Sequence, residues 1–350
     1  MLSYFSVLSK LSFTLMIATL GALAFKYVHL PLPWLLGSIV ATSIASRFDT
    51  LPLYRPKVLT GPARTVLGIT IGSAFTPQVA QGIFTYLPSL LMIIPFIVII
   101  GLVGVWYYWK VVKFDKMTAF FSTMPGGLME MVSIAEDMGA NVAKVTLTQS
   151  TRLLLIVFTL PFIIEALGHI HLGDRGSITA PLRDVSNHDL LAMLFLAVIG
   201  AWGAKKLHIS GAFIIGPMIV SAFVYMLGWV EARPPDEAIK LTQLIIGTTI
   251  GFVFRGVKSK EVITTLRQTF GFFLILSSVC SLFIYSVYTC FDFPLISILL
   301  AFAPGGQSEM NLIAIILGVN VPFVALHHVM RIFLVMGIAP LIAKWFKKMA

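Results

Sequence analysis

The sequence predicts an all-α polytopic membrane protein of two homologous halves. The halves read as inverted repeats, each with five transmembrane helices plus one broken, re-entrant segment. Three observations lead to this fold class: an apolar composition too large for one aqueous core, a repeat at fixed offset, and a loop-by-loop pattern of positive charge.

Of the 350 residues, 58% are hydrophobic and 11% charged, and the mean hydropathy is +0.94. Soluble domains are nearer 45–50% apolar and about 25% charged, so the bilayer must act as the solvent. A spanning helix needs about 20 mostly apolar residues, and roughly ten such stretches can be laid along the chain. Continuous apolar runs exclude a membrane barrel, whose strands alternate apolar and polar residues. The net charge of +10 fits Lys and Arg gathered in cytoplasmic loops. No direct nucleic-acid partner is expected, because the longest polar stretch, roughly 169–189, is short and mixes both signs. Cys280 and Cys290 lack zinc or haem spacing and read as packing residues.

A single offset of 179 residues aligns the halves without a gap. Gly21, Lys26 and His29 fall on Gly200, Lys205 and His208, and Gly37 falls on Gly216. Gly68, Gly72 and Phe75 fall on Gly247, Gly251 and Phe254. The strongest block pairs Pro125-Gly126-Gly127 with Pro304-Gly305-Gly306. It continues through Glu130/Glu309, Met131/Met310, Gly139/Gly318, Asn141/Asn320 and Arg152/Arg331. A membrane repeat at 1–170, a linker at 171–188 and a second repeat at 189–350 follow. The N-terminal run, with Lys10 and an A-L-A at 22–24, has the look of a cleavable signal. Its counterpart at 189–207 argues that it belongs to the mature fold.

Apolar spans are predicted near 9–28, 32–48, 59–77, 85–108 and 143–167, with a broken segment at 116–138. The second half repeats them near 189–206, 211–229, 238–255, 268–289 and 322–345, with its break in 294–317. Positive residues collect at Lys10, at Arg47, Arg55 and Lys57, and at Lys110, Lys113 and Lys116. In the second half they collect at Arg255, Lys258, Lys260 and Arg267 and at the tail. If both broken segments crossed fully, the 255–267 loop would lie outside. If they re-enter, every basic loop falls inside, with both termini cytoplasmic, as positive charge requires of an inner-membrane protein. Inverted repeats with discontinuous helices are a transporter architecture.

P-G-G inside an apolar run ends one helix and starts another, since proline lacks the N–H and glycine permits unusual dihedrals. The freed backbone groups need protein or water around them, and exposed helix N-termini attract anions. Pro125, Gly126, Gly127, Pro304, Gly305 and Gly306 are therefore candidate site residues. Glu130 and Glu309 follow as helix caps, as proton or cation sites, or as both. Arg152 and Arg331, each 22 residues after its Glu, either snorkel to an interface or act as Glu partners or anion ligands. Gln149 and His328 lie one turn earlier on the same face, and His328 has a side chain suited to titration near neutral pH. Asn141 and Asn320, after Gly139 and Gly318, read as helix C-caps. The Gly68-x-x-x-Gly72 and Gly247-x-x-x-Gly251 pairs read as close-packing faces. His169, His171 and His188 sit in the linker without ligand spacing, so no metal or cofactor is expected. No nucleophile elbow, nucleotide loop or zinc motif occurs, and no enzyme constellation is present.

The doubled P-G-G-x-x-E-M blocks, each followed by A-x-x-x-G and an Arg-bearing span, resemble the AbrB-duplication integral membrane protein family over essentially the whole chain. The resemblance implies the family's labels, regulator of gene expression or ammonia monooxygenase. The residues themselves point to a transporter-like protein for a small, anionic solute held at the paired breaks, with the bilayer as its main partner. The alternative is a membrane-embedded regulator or sensor, and self-association is left open.

Overall fold

The structure is a computed structural model that describes residues 2–126, 128–168, 179–209 and 211–348. Among the described residues every regular element is helical. In chain order these are α1 (Leu2–Tyr27), α2 (Ser38–Ala45), α3 (Lys57–Gly72), α4 (Pro77–Gly82), α5 (Leu87–Leu91), α6 (Ile93–Trp106), α7 (Lys116–Thr123) and α8 (Leu128–Asp137). Then follow α9 (Val142–Gly168), α10 (Asn187–Lys206), α11 (Ala212–Met226), α12 (Asp236–Gly251), α13 (Ser259–Cys290), α14 (Leu295–Phe302), α15 (Gln307–Leu317) and α16 (Val321–Lys348). A wide turn at Pro33–Gly37 leads into α2.

Among the described residues, six helices or helical runs are long and apolar enough to cross a membrane: Val7–Tyr27, Pro77–Val111, Val142–Gly168, Asn187–Lys206, Ser259–Cys290 and Val321–Ala343. This is the make-up of a polytopic membrane protein. The other four predicted spans are shorter than the sequence reading made them. α3 and α12 have 16 residues each and α11 has 15, which at about 1.5 Å per residue falls short of a typical hydrocarbon core. Both predicted interruptions are present, α7–α8 and α14–α15.

The chain divides into two compact units, and they are not the sequence halves. One comprises Met1–Gln81, Phe158–Val257 and Asn311–Pro322; the other comprises Gly82–Val157, Lys258–Met310 and Phe323–Ala350. Each draws on both halves.

In the first unit the two repeats exchange partners. α3, from the first half, packs on α11 of the second, while α12 of the second packs on α2 of the first. Glycine makes this approach feasible. A Cβ on Gly68 would lie 2.5 Å from Ile214 O, and one on Gly247 would lie 2.6 Å from Leu35 O. One turn later, Gly72 faces Ser221 Oγ and Met218 O, and Gly251 faces Thr42 Oγ1 and Ile39 O. Each pair is related to the other by the same 179-residue offset. The helix ends repeat as well. His29 and His208 both adopt positive φ, 55° and 54°. Around them, Leu30 N donates to Phe25 O and Ile209 N to Ala204 O, the long bond of a Schellman stop.

Two arginines tie loops of this unit together. Arg47 Nη1 donates to Val257 O at 2.9 Å, and Arg255 Nη1 donates to Leu53 O at 2.9 Å.

The second unit holds α5–α8, the first turns of α9, and α13, α14 and most of α16. Its interior is aromatic: Phe96, Phe283 and Phe302 pack edge-on or stacked, and Tyr108 packs on Phe114 and Phe272.

Gly68→Ala and Gly247→Ala are each expected to destabilise the fold by about 1–3 kcal/mol, since backbone blocks the added methyl. Gly203 faces open space, so Gly203→Ala should be neutral or stabilising by up to about 1 kcal/mol. Thermal unfolding of the detergent-solubilised variants, followed by helical circular dichroism, checks the contrast.

Candidate functional site

The second unit contains both chain breaks. α7 begins at an Asp115 cap, whose Oδ1 accepts from Thr118 N at 2.8 Å. It runs eight residues to Thr123 and is stopped by Pro125. α14 is likewise eight residues long and stops before Pro304. Met124 and Ala303 turn away from the helical path with ψ of 127° and 129°. The last carbonyls of a helix have no partners within it, and a span inside the membrane cannot leave them to water.

Side chains from α9 and α16 take those carbonyls. Gln149 Nε2 donates to Phe121 O at 2.6 Å, and Arg152 donates from Nη1 to Thr123 O at 2.8 Å and from Nη2 to Met124 O at 3.4 Å. In the second repeat His328 Nε2 bonds Leu300 O at 3.0 Å. Arg331 donates from Nη1 to Ala303 O at 2.8 Å and from Nη2 to Gly305 O at 2.7 Å. Phe121 and Leu300 are equivalent positions, so an amide and an imidazole do the same task. A carbonyl can only accept, which places the His328 proton on Nε2; Nδ1 then accepts from Arg331 Nη2 at 2.8 Å. Both ring nitrogens are committed in the neutral form, so the expected freely titrating His328 is not what this geometry provides.

Arg152 and Arg331 are 5% and 3% exposed. They do not snorkel; they are buried and hydrogen-bonded to the breaks. Arginine suits this task, because a planar fork reaches two adjacent orphan oxygens at once. The two guanidinium groups lie close enough to interact electrostatically, and Cys280 lies within the same range of both. The Nε of Arg331 is buried with no hydrogen-bond partner.

Glu309 is buried, and its carboxylate folds back over Gly306, where a Cβ would collide with Oε2. Gly306 O accepts from Met310 N at 3.1 Å, so Gly306 caps α15 and Glu309 occupies the third helical position, as in a capping box. Gly305 lies against the Met310 side chain and Gly126 against that of Met131. Gly127 lies outside the described residues, as does the side chain of Glu130.

Asn141 is corrected. Gly139, at φ 79°, is the residue that stops α8, and Asn141 Oδ1 accepts from Lys144 N at 3.1 Å. It is the N-cap of α9, preferred there because a short side-chain acceptor satisfies a first-turn donor. His169 and His171 lie outside the described residues, and His188 is exposed on α10. Among the described residues no group of three or more His, Cys, Asp or Glu could hold a metal ion.

Sequence reasoning missed several members. Cys280, taken as packing, is buried with Sγ 3.6 Å from Phe302 O, to which it donates. Tyr108 is fully buried within electrostatic range of Arg152. His327 is fully buried between the rings of Phe302 and Phe323. The one sequence signal that could have marked any of them is the His327-His328 doublet.

Arg331→Met strands two carbonyls in a dry environment, at about 1–3 kcal/mol for each buried group left unpaired. It should lower the unfolding midpoint more than Arg152→Met, whose second contact is long. His328→Gln should be the mildest of the three, since glutamine already fills the equivalent role at 149. Midpoints measured in one detergent rank the variants.

Comparison with known proteins agrees with the repeat-bearing motifs. An uncharacterized protein YhjN of Bacillus subtilis (strain 168) is 29% identical over 293 residues, covering 79% of this chain and 75% of that protein. A protein of Escherichia coli (strain K12) named "Putative regulator AbrB" is 24% identical over 339 residues, 95% of each chain. Residues 34–347 match the family described as transition state regulatory protein AbrB. The chain belongs to that AbrB family.

Proposed function

We propose that this protein is a secondary transporter of a small anionic solute, with its site at the paired chain breaks. The observation that carries the reading is the convergence of two buried guanidinium groups in electrostatic range of one another, with one N–H of Arg331 lacking a partner. Two like charges close together in a dry interior repel, and an anion between them relieves that cost. The breaks also present the first N–H groups of α15, as in anion sites at helix N-termini. In this reading Pro304, Gly305 and Gly306 shape the second half-site. Pro125, Gly126 and Gly127 shape the first, and Glu130 and Glu309 hold the half-helix starts.

The proposed topology is inverted, with re-entrant breaks in an inner membrane and cytoplasmic termini. Its support is the reciprocal pair Arg47–Val257 and Arg255–Leu53. Those bonds join the basic loops near 47–57 and 253–258, and the inverted reading is the one that gives both loops the same side. Neither an enzymatic activity nor direct nucleic-acid contact is part of the proposal. The name of the Escherichia coli relative favours one second reading: the same centre binds a signal without moving it and affects gene expression indirectly.

Flux of radiolabelled anions into proteoliposomes separates these. Transport predicts uptake that Glu309→Gln or Arg331→Met reduces at least tenfold at equal reconstitution. Binding with no uptake of any anion supports the sensor; neither binding nor uptake contradicts both.

A further inference from the structure

We propose that this protein holds one anionic phospholipid, with an acyl chain in a groove between α6 and α16 and its phosphate at Lys110 and Lys116. The proposal does not rest on the anion-transport reading.

The groove lies within the second unit and has a volume of about 230 Å³. Val98, Leu102 and Val105 of α6 line one wall, Ile338 and Ile342 of α16 the other, and Met124 lies at the end of α7. Every lining residue is apolar, so the space offers water no partners and suits hydrocarbon. Val98, Leu102 and Ile338 are exposed, whereas Gly101 and Ala339 are buried. The groove therefore opens sideways from two helices that are long and apolar enough to span a membrane, where acyl chains are the solvent. On its inner side Met124 meets Gly101, at which a Cβ would come within 2.9 Å of Met124 Cε. Met124 is the residue of the first break whose carbonyl accepts from Arg152, so a chain in the groove would brace that break.

One end of the groove is charged. Tyr86, just before α5, meets Phe323 at the start of α16 edge-on, with ring centroids 5.4 Å apart. The two walls thus begin together and run the same way, which places Val105 and Ile342 toward one end. Groove residues 98, 102 and 105 share a face of α6, and the next position on that face is Trp109. Lys110 Nζ stands 3.7 Å from the centroid of the Trp109 ring and Lys116 Nζ 5.4 Å from it. Trp106 and Trp109 are both exposed, as aromatic rings are at headgroup level. Lys110 follows Val105 by about 7 Å along the helix, a short step from the top of a chain to its phosphate. Lys113 in the same loop, and Lys144 at 5.0 Å from the Phe114 ring centroid, add positive charge. The nearby carboxylates are Asp115, which caps α7, and Glu136 and Asp137, which end α8. Among the described residues none of the three forms an ion pair with Lys110 or Lys116. Two ammonium groups gathered on one tryptophan, above an apolar groove, match an anionic headgroup above its acyl chain. The equivalent positions in the second repeat are Tyr288, Thr289 and Leu295, so the repeat does not duplicate the lysines.

The test is photo-cross-linking of the full-length protein in phosphatidylcholine nanodiscs. Trace phosphatidylglycerol and trace phosphatidylcholine, each with a diazirine near the end of one acyl chain, are compared in parallel. Peptide mapping should place the phosphatidylglycerol label on residues 94–105 and 334–342. Labelling there should exceed that by phosphatidylcholine about tenfold, the order expected of two lysines at an anionic headgroup. Lys110→Gln combined with Lys116→Gln changes two exposed side chains and should bring the ratio close to one. Wild type in about 1 M salt, where charges are screened within about 3 Å, should do the same and gives that readout if the double variant is not recovered. Label spread evenly over all the apolar helices overturns the proposal. So does an unlabelled groove, the result expected if a second copy of the chain covers it. Equal labelling by the two lipids, or a ratio that neither the double variant nor salt lowers, overturns it as well.

Discussion

The backbone of this protein is broken twice inside membrane-forming segments, and the fold depends on buried arginines that hold the broken ends. A helix that stops at Thr123 or Phe302 leaves carbonyl oxygens that lipid cannot satisfy. Arg152 and Arg331 take them with paired N–H donors, and Gln149 and His328 take one further oxygen each. The choice of arginine follows from the geometry. Its fork reaches two oxygens at once, and its charge sits favourably at the negative end of the preceding half-helix.

Holding the breaks has an electrostatic consequence. Because the repeat places an arginine at each break and the second unit brings both breaks into one body, two positive charges share a dry interior. Structure and proposed function therefore come from the same pair of residues. In the proposed reading, the guanidinium groups that hold the chain ends are also the ones that draw an anion to the centre. In the first unit the same repeat does a different job: glycines at 68, 72, 247 and 251 let each half grip the short helix of the other.

Much of this was legible in the sequence. The 179-residue register located both breaks and the arginines. It also located the glycine faces, and it matched His29 with His208, although their left-handed conformation came only from the structure. Composition located the membrane segments because apolar runs have few alternative explanations. What the sequence did not reveal depends on contacts between residues distant along the chain. The carbonyl acceptors for Arg152 lie 28 and 29 residues away, and no periodic signal marks them. Cys280 and Tyr108 sit on helices whose inward faces carry no motif. Asn141 was misread because glycine at 139 already supplies the stop, so the asparagine two residues on begins the next helix.

The central claim is that the paired arginines form one anion-binding centre. Unfolding midpoints of the wild-type protein and Arg331→Met, measured across a panel of small anions at constant ionic strength, test it most directly, because a ligand that binds only the native state raises its apparent stability. The account predicts that at least one small anion stabilises the wild type in a saturable way and leaves Arg331→Met unchanged. Equal response of both proteins to every anion would contradict it.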